Sequence, residues 1–259
     1  MSYSTLVFDV PEQGIARITL NRPDHYNALN QALTEEAAAV LAEFASRDDL
    51  RVLILTGAGR SFSAGGDLAW LLEADDLHKK RQVVDRAGDL IATLDGMEKP
   101  LIAAVNGVAA GAGTALALAC DLVIASDAAR FAPNFVNIGA VPDSGASWYL
   151  PRVVGYHKAA ELMLTGRLLK AAEALDLGLF NRVVPADSLE QESLETARAI
   201  VKGPRKAIRS IKKMLKMSRG NTLEAQLEVE ASLQVLAWSQ QEFAEGVQAF
   251  LEKRPPQFD

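Results

Sequence analysis

The sequence predicts an α/β fold, with a largely parallel sheet, helices packed outside it, and a helical C-terminal part. Three observations carry that expectation. Short runs of consecutive apolar residues recur at Val52-Leu53-Ile54-Leu55, Leu101–Val105 and Leu122-Val123-Ile124-Ala125. Each run is long enough for a buried strand and too short for a buried helix. Loops and helical stretches separate the runs, and repeated strand–helix–strand crossovers imply parallel pairing.

The elements follow in order. Leu6, Phe8 and Val10 alternate with other residues, and Ile15, Ile18 and Leu20 follow Pro11-Glu12-Gln13-Gly14. That pattern predicts two strands joined by a turn. Asn30 is placed to cap a helix that runs through an alanine-rich stretch to about Ser46. The first apolar run closes in Gly57-Ala58-Gly59, so a buried strand feeds a loop. A polar stretch over roughly residues 69–94 predicts a helix. The second run ends at Asn106-Gly107, and a helix of small residues is expected over about residues 111–119. From about Asp187 helical periodicity dominates to Glu252, broken at Gly203-Pro204 and Gly220-Asn221. The expected organisation is a core over residues 1–190 and a helical C-terminal part over residues 191–259.

Composition narrows the function. The chain has 259 residues, 49% of them hydrophobic, and a formal net charge of -6. A chain of that length can bury a substantial core. The acidic balance argues against a nucleic-acid partner, which usually calls for a basic surplus. Cys120 is the single cysteine, so no disulfide framework exists and a reducing compartment is expected. No stretch of about 18 consecutive apolar residues suggests a membrane span. The segment from Met1 to Val10 lacks a basic region followed by an apolar one, so it does not read as a signal peptide. A cytoplasmic location is the default expectation. His25, His78 and His157 match no metal-ligand spacing, and no metal is expected.

Two segments can carry chemistry. Ser61-Phe62-Ser63-Ala64-Gly65-Gly66-Asp67-Leu68 follows a buried strand. Its glycines let the backbone approach a ligand, and N–H groups freed from strand pairing can face a cleft. The plainer alternative is a strand-to-helix turn with Asp67 in the first helical turn. Asn106-Gly107-Val108-Ala109-Ala110-Gly111-Ala112-Gly113-Thr114-Ala115 also follows a buried strand and opens a helix. The first N–H groups of a helix lack internal partners and sit at the positive end of its dipole. They suit a developing oxyanion. The alternative is close helix packing on small residues. The spacing differs from that of a dinucleotide-binding loop.

Taken together, these segments resemble the enoyl-CoA hydratase/isomerase, or crotonase, family. The resemblance also runs through Asn21-Arg22-Pro23-Asp24-His25-Tyr26-Asn27-Ala28-Leu29-Asn30 and through Glu245-Gly246-Val247-Gln248-Ala249-Phe250-Leu251-Glu252-Lys253-Arg254. It implies a crotonase-like spiral of ββα units, a C-terminal part involved in oligomerisation, and a homo-trimer or a dimer of trimers. It implies an acyl-CoA substrate whose thioester carbonyl accepts from the N–H groups of Gly66 and Ala112. Family members commonly have glycine at the second position. Ala28, Ala64, Gly65, Asp67 and Leu68 would border the coenzyme A, and Phe250 and Lys253 would reach a neighbouring subunit's ligand. For Lys253 the alternative is a solvated charge at a helix end. Coenzyme A is part of the substrate, so no separate cofactor is implied. The stretch from Trp70 to Val84 would shape the pocket floor.

Departures from the family pattern bear on the reaction. The two glutamates that add water to a 2-enoyl thioester fall at Ala115 and Phe135, which cannot carry a proton. Asp143, in Pro142-Asp143-Ser144-Gly145, matches the acid of members that isomerise 3-enoyl thioesters or ring epoxides of phenylacetyl-CoA. The resemblance therefore implies an isomerase. Alternatives are a hydratase and a non-catalytic member that binds coenzyme A or RNA. Asp143 also suits a helix N-cap, and the two roles conflict. A capping carboxylate accepts N–H bonds and its pKa falls. A proton shuttle wants a raised pKa, which an apolar pocket of Phe135, Val136, Val141 and Trp148 could supply.

Overall fold

The computed structural model describes residues 3–258; Met1 and Ser2, at the start of the segment with no leader pattern, and Asp259 lie outside the described residues. The chain opens with an antiparallel pair, β1 (Leu6–Glu12) and β2 (Ile15–Leu20), and then α1 (Gln31–Ser46). Three units follow, each with two strands. The first is β3 (Val52–Gly57) and β4 (Ser61–Ser63), followed by α2 (Leu68–Glu73) and α3 (Leu77–Gly96). The second is β5 (Leu101–Val105), β6 (Val108–Ala110) and α4 (Ala112–Ala119). The third is β7 (Leu122–Ser126) and β8 (Arg130–Ala132), followed by α5 (Ala146–Val154) and α6 (Tyr156–Thr165). Then come β9 (Leu169–Lys170), α7 (Ala171–Asp176) and β10 (Arg182–Val184).

Each two-strand unit gives its first strand to one sheet and its second to another. The six-stranded sheet has the order β1-β2-β3-β5-β7-β10, and the four-stranded sheet the order β4-β6-β8-β9. Pairing is parallel from β2 to β10 and from β4 to β8. This is the spiral of ββα units.

The apolar runs are continuous because the six-stranded sheet is covered on both faces. Leu53, Leu55, Leu101, Ala103, Val105, Val123 and Ala125 point into the main core with Leu33, Leu41, Phe44, Phe62 and Leu116. The alternate residues Val52, Ile54, Ile102, Ala104 and Ile124 enter a second core with Leu189 and Ala197. Those last two belong to α8 (Leu189–Val201), which spans the expected boundary near residue 190 and closes the sheet's outer face. Three more helices follow, α9 (Arg205–Met217), α10 (Leu223–Trp238) and α11 (Gln241–Glu252); the predicted breaks precede α9 and α10, while the break between α10 and α11 at Ser239-Gln240 was not expected.

Two details differ from the sequence expectation. The polar stretch forms two helices, because Asp76 ends the connection by accepting from the N–H of Lys79 at 2.8 Å and starts α3 afresh. The strands β4, β6 and β8 were not anticipated, since three residues are too few to show a period of two. Among the described residues no helix is long and apolar enough to cross a membrane.

Candidate active site

The loop after β4 is stitched to the segment before α1. The N–H of Leu29 donates to the carbonyl of Gly65 at 2.7 Å, and the N–H of Asp67 donates to the carbonyl of Leu29 at 2.9 Å. Gly66 lies between these two bonds. In a parallel bridge the middle residue turns its own N–H away from the partner strand. Among the described residues that N–H finds no acceptor. The N–H of Ala112 has none either, because it opens α4 and has no carbonyl one turn back.

Glycines press the two donors together. Gly65 has φ = +91°, and a Cβ there would lie 2.8 Å from the carbonyl oxygen of Ala110 and 3.0 Å from the nitrogen of Ala112. Gly111 has φ = +51°, so the left-handed residue before the helix is glycine, while Ala112 is not among the residues with positive φ. Alanine at position 112 therefore costs no backbone strain and keeps its N–H.

Asn27 braces this arrangement, a role that sequence reading did not find. It is fully buried. Its Nδ2 donates to the carbonyls of Ala58 at 2.9 Å and Ser61 at 2.7 Å, and its Oδ1 accepts from the N–H of Arg22 at 2.9 Å. Its carbonyl accepts from the Ser63 hydroxyl at 2.9 Å. The left-handed φ of +56° suits asparagine. A buried amide in a short Gly-free turn is the signal that could have revealed it.

Gly66 and Ala112 line a cavity of about 440 Å³. Ala28, Ala64, Asp67 and Leu68 line it too, as expected for the coenzyme A border, whereas Gly65 acts from behind as a spacer. Trp70, Leu71, Val83 and Val84 line it as well, so both ends of the predicted floor segment reach the site. Phe250 and Lys253 lie outside this cavity. Phe250 is exposed on α11 and Lys253 is the left-handed residue that ends it. Asp67 is committed to structure. Burial works against its carboxylate, but Arg22 at 2.8 Å and the N–H groups of Trp70 and Ala69 outweigh that and hold its pKa below the ordinary value.

Three carboxylates line the cavity, those of Asp24, Asp67 and Asp143. Asp24 is exposed and Asp67 is paired. Asp143 differs from both. Its Oδ1 is buried without a hydrogen-bond partner. The capping alternative is overturned: α5 starts after Gly145, no side chain caps it, and only the backbone carbonyl of Asp143 accepts, from the N–H of Ala146 at 2.9 Å. Burial pushes the Asp143 pKa above the ordinary carboxylate value; the Ser144 hydroxyl and the residue's own N–H pull the other way without cancelling it. The expected source of desolvation needs correction. Phe135 is buried in the cavity wall, but Val136 and Val141 are 42% and 79% exposed, and Trp148 is partly exposed. Val83 and Ala87 of α3 are buried and line the same cavity. Ala115 is fully buried inside α4 and absent from the lining.

Two backbone donors, an apolar wall and one unpaired carboxyl can together polarise a carbonyl and move a proton beside it. Several known proteins are similar to this chain. A family model described as enoyl-CoA hydratase/isomerase matches residues 11–259. A Rhodobacter capsulatus protein named probable enoyl-CoA hydratase is 41% identical over 258 residues, covering 100% of this chain and 99% of its own length. The 1,2-epoxyphenylacetyl-CoA isomerase of Escherichia coli is 40% identical over 253 residues, 95% of each chain. The crystal structure of an enoyl-CoA hydratase from Bacillus anthracis superposes with a TM-score of 0.95 at 33% identity, covering 98% of this chain and 99% of that one.

Proposed function

Since the chain belongs to the enoyl-CoA hydratase/isomerase family, we propose that it is an acyl-CoA isomerase acting on a 3-enoyl-CoA or on a ring epoxide of phenylacetyl-CoA. The observation that carries this is Asp143, unpaired and raised in pKa, in the same cavity as the free N–H groups of Gly66 and Ala112. The hydratase positions support it from the other side, since Ala115 and Phe135 hold no proton.

The thioester carbonyl accepts from Gly66 and Ala112. That makes the C2–H more acidic, and the Asp143 carboxylate takes a proton from C2. The electron pair passes to the carbonyl oxygen as an enolate conjugated with the C3–C4 bond. The Asp143 carboxyl returns the proton at C4, and the double bond settles between C2 and C3. For a ring epoxide the same proton traffic assists C–O opening. Each N–H donor contributes about 3 kcal/mol to lowering the barrier. Ala28, Ala64 and Leu68 border the coenzyme A portion.

A homo-trimer or a dimer of trimers is part of the proposal. Leu215, Leu223, Phe250 and Leu251 on the last three helices are each at least 66% exposed in the single chain. Large apolar side chains exposed on neighbouring helices suit a covering partner, and a second copy would bring Phe250 and Lys253 towards a neighbour's ligand.

A hydratase is the second reading, favoured by the name of the 41%-identical relative. A substrate panel separates the two. Incubation with 3-enoyl-CoA should yield 2-enoyl-CoA, or epoxidised phenylacetyl-CoA should be consumed, while 2-enoyl-CoA should give little 3-hydroxyacyl-CoA. Efficient hydration of 2-enoyl-CoA would replace the isomerase with the hydratase.

A further inference from the structure

A second and larger cavity, about 970 Å³, lies between α3 and residues 139–149. Leu71, Val84, Ala140 and Asp143 line both cavities. A group seated beside Gly66 and Ala112 reaches the second cavity by passing Asp143.

Two features of its wall stand out. Gly88 sits within a 20-residue helix, where glycine costs about 1 kcal/mol relative to alanine. A Cβ added there would meet nothing within 4 Å, so no neighbour demands the glycine. The second feature is charge. Asp85, Asp89, Asp95 and Asp143 line the cavity; the cations Arg152 and Arg219 lie over the ring of the lining residue Trp148. Asp85 is paired with Arg81 and Asp95 with Arg219, each at 2.7 Å. Asp89 is one turn from Asp85 and has no ion-pair partner among the described residues.

We propose that this second cavity receives the far end of the acyl group, and that Gly88 and Asp89 select which acyl groups enter. Gly88 leaves room for a long or ring-bearing group. Asp89 repels an acyl group that ends in a carboxylate, so the substrate's far end is uncharged. This rests on the acyl-CoA reading of the site but not on the choice of isomerase over hydratase.

Saturated acyl-CoAs bind without turning over and test selection apart from reaction. Their affinities are measured by calorimetry for the wild type, Gly88→Leu and Asp89→Asn. Wild type should bind hexanoyl-CoA about tenfold or more tighter than adipyl-CoA, the six-carbon group ending in a carboxylate, given like charges a few ångströms apart near a protein surface. Asp89→Asn should narrow that ratio, and added salt should narrow it in the wild type alone. Gly88→Leu should weaken octanoyl-CoA and phenylacetyl-CoA about tenfold and leave acetyl-CoA unchanged. A retained melting temperature in both variants confirms folding, and leucine at position 88 favours the helix. Equal affinity of the wild type for hexanoyl-CoA and adipyl-CoA overturns the charge selection. Undiminished octanoyl-CoA binding by Gly88→Leu overturns the placement of the acyl group. Failure of the wild type to bind any acyl-CoA overturns this proposal together with the acyl-CoA reading beneath it.

Discussion

Replacing Gly65 with alanine tests how the two N–H donors are held. Gly65 itself touches no ligand-facing surface, so its effect must pass through the backbone. The left-handed φ costs an L-residue about 1–2 kcal/mol. The added Cβ would lie 2.8 Å from the Ala110 carbonyl oxygen and 3.0 Å from the Ala112 nitrogen. Both are backbone atoms, so no side chain can swing aside to relieve the contact. Either the loop holding Gly66 or the start of α4 must shift by a few tenths of an ångström. Oxyanion donors act within a narrow range of lengths, and losing one costs about 10²–10³-fold in kcat. Gly65→Ala should therefore stay folded, bind coenzyme A with nearly wild-type affinity, and lose at least about tenfold in kcat, up to that limit. Steady-state kinetics on the substrate the wild type converts, beside calorimetric binding of coenzyme A, reads both. An unchanged kcat in a variant with a lowered melting temperature would refute the claim that Gly65 spaces the donors.

Two further outcomes follow from the site. Asp143 has a pKa raised by burial, so the folded state holds its proton at pH values where the unfolded state has released it. Its contribution to stability is therefore greatest at low pH and falls as pH rises from the ordinary carboxylate value through the raised one. The melting temperature of Asp143→Asn should exceed that of the wild type above this window, with the difference shrinking below it; a constant difference across pH would contradict the raised pKa. Asn27→Ala should cost about 2 kcal/mol, because the part-buried Ala58 carbonyl and Arg22 N–H lose this partner and the buried Ser61 carbonyl keeps only the Asn106 Nδ2 at 3.2 Å. Equilibrium denaturation reads that loss, and a change below about 1 kcal/mol would remove Asn27 as the brace.

The strands β3, β5 and β7 were legible in the sequence because burial on both faces leaves an unbroken apolar run. Nothing in the runs, however, tells which of Leu53 and Ile54 enters which core. The second sheet was hidden for another reason. Ser61-Phe62-Ser63 and Val108-Ala109-Ala110 are strands only because a neighbouring turn of the spiral pairs with them. Gly66 and Ala112 could be named from a Gly-rich loop and a helix start, together with the family resemblance. Asp143 could be named but not assigned, since a cap and a proton shuttle ask for the same residue type. The choice depends on where α5 starts, and Gly145 rather than Asp143 occupies its N-cap. Asn27 escaped notice because its partners are main-chain carbonyls more than 30 residues away. The selection by Gly88 was equally illegible, because an open space beside a helix has no sequence signature.

The central claim is that Asp143 moves the proton beside donors that Gly66 and Ala112 supply. It is tested most directly by comparing wild type and Asp143→Asn on 3-enoyl-CoA, following 2-enoyl-CoA formation while calorimetry monitors coenzyme A binding. The expected result is a loss of about 10²–10⁴-fold in kcat with coenzyme A affinity retained. Turnover by Asp143→Asn at the wild-type rate would contradict it.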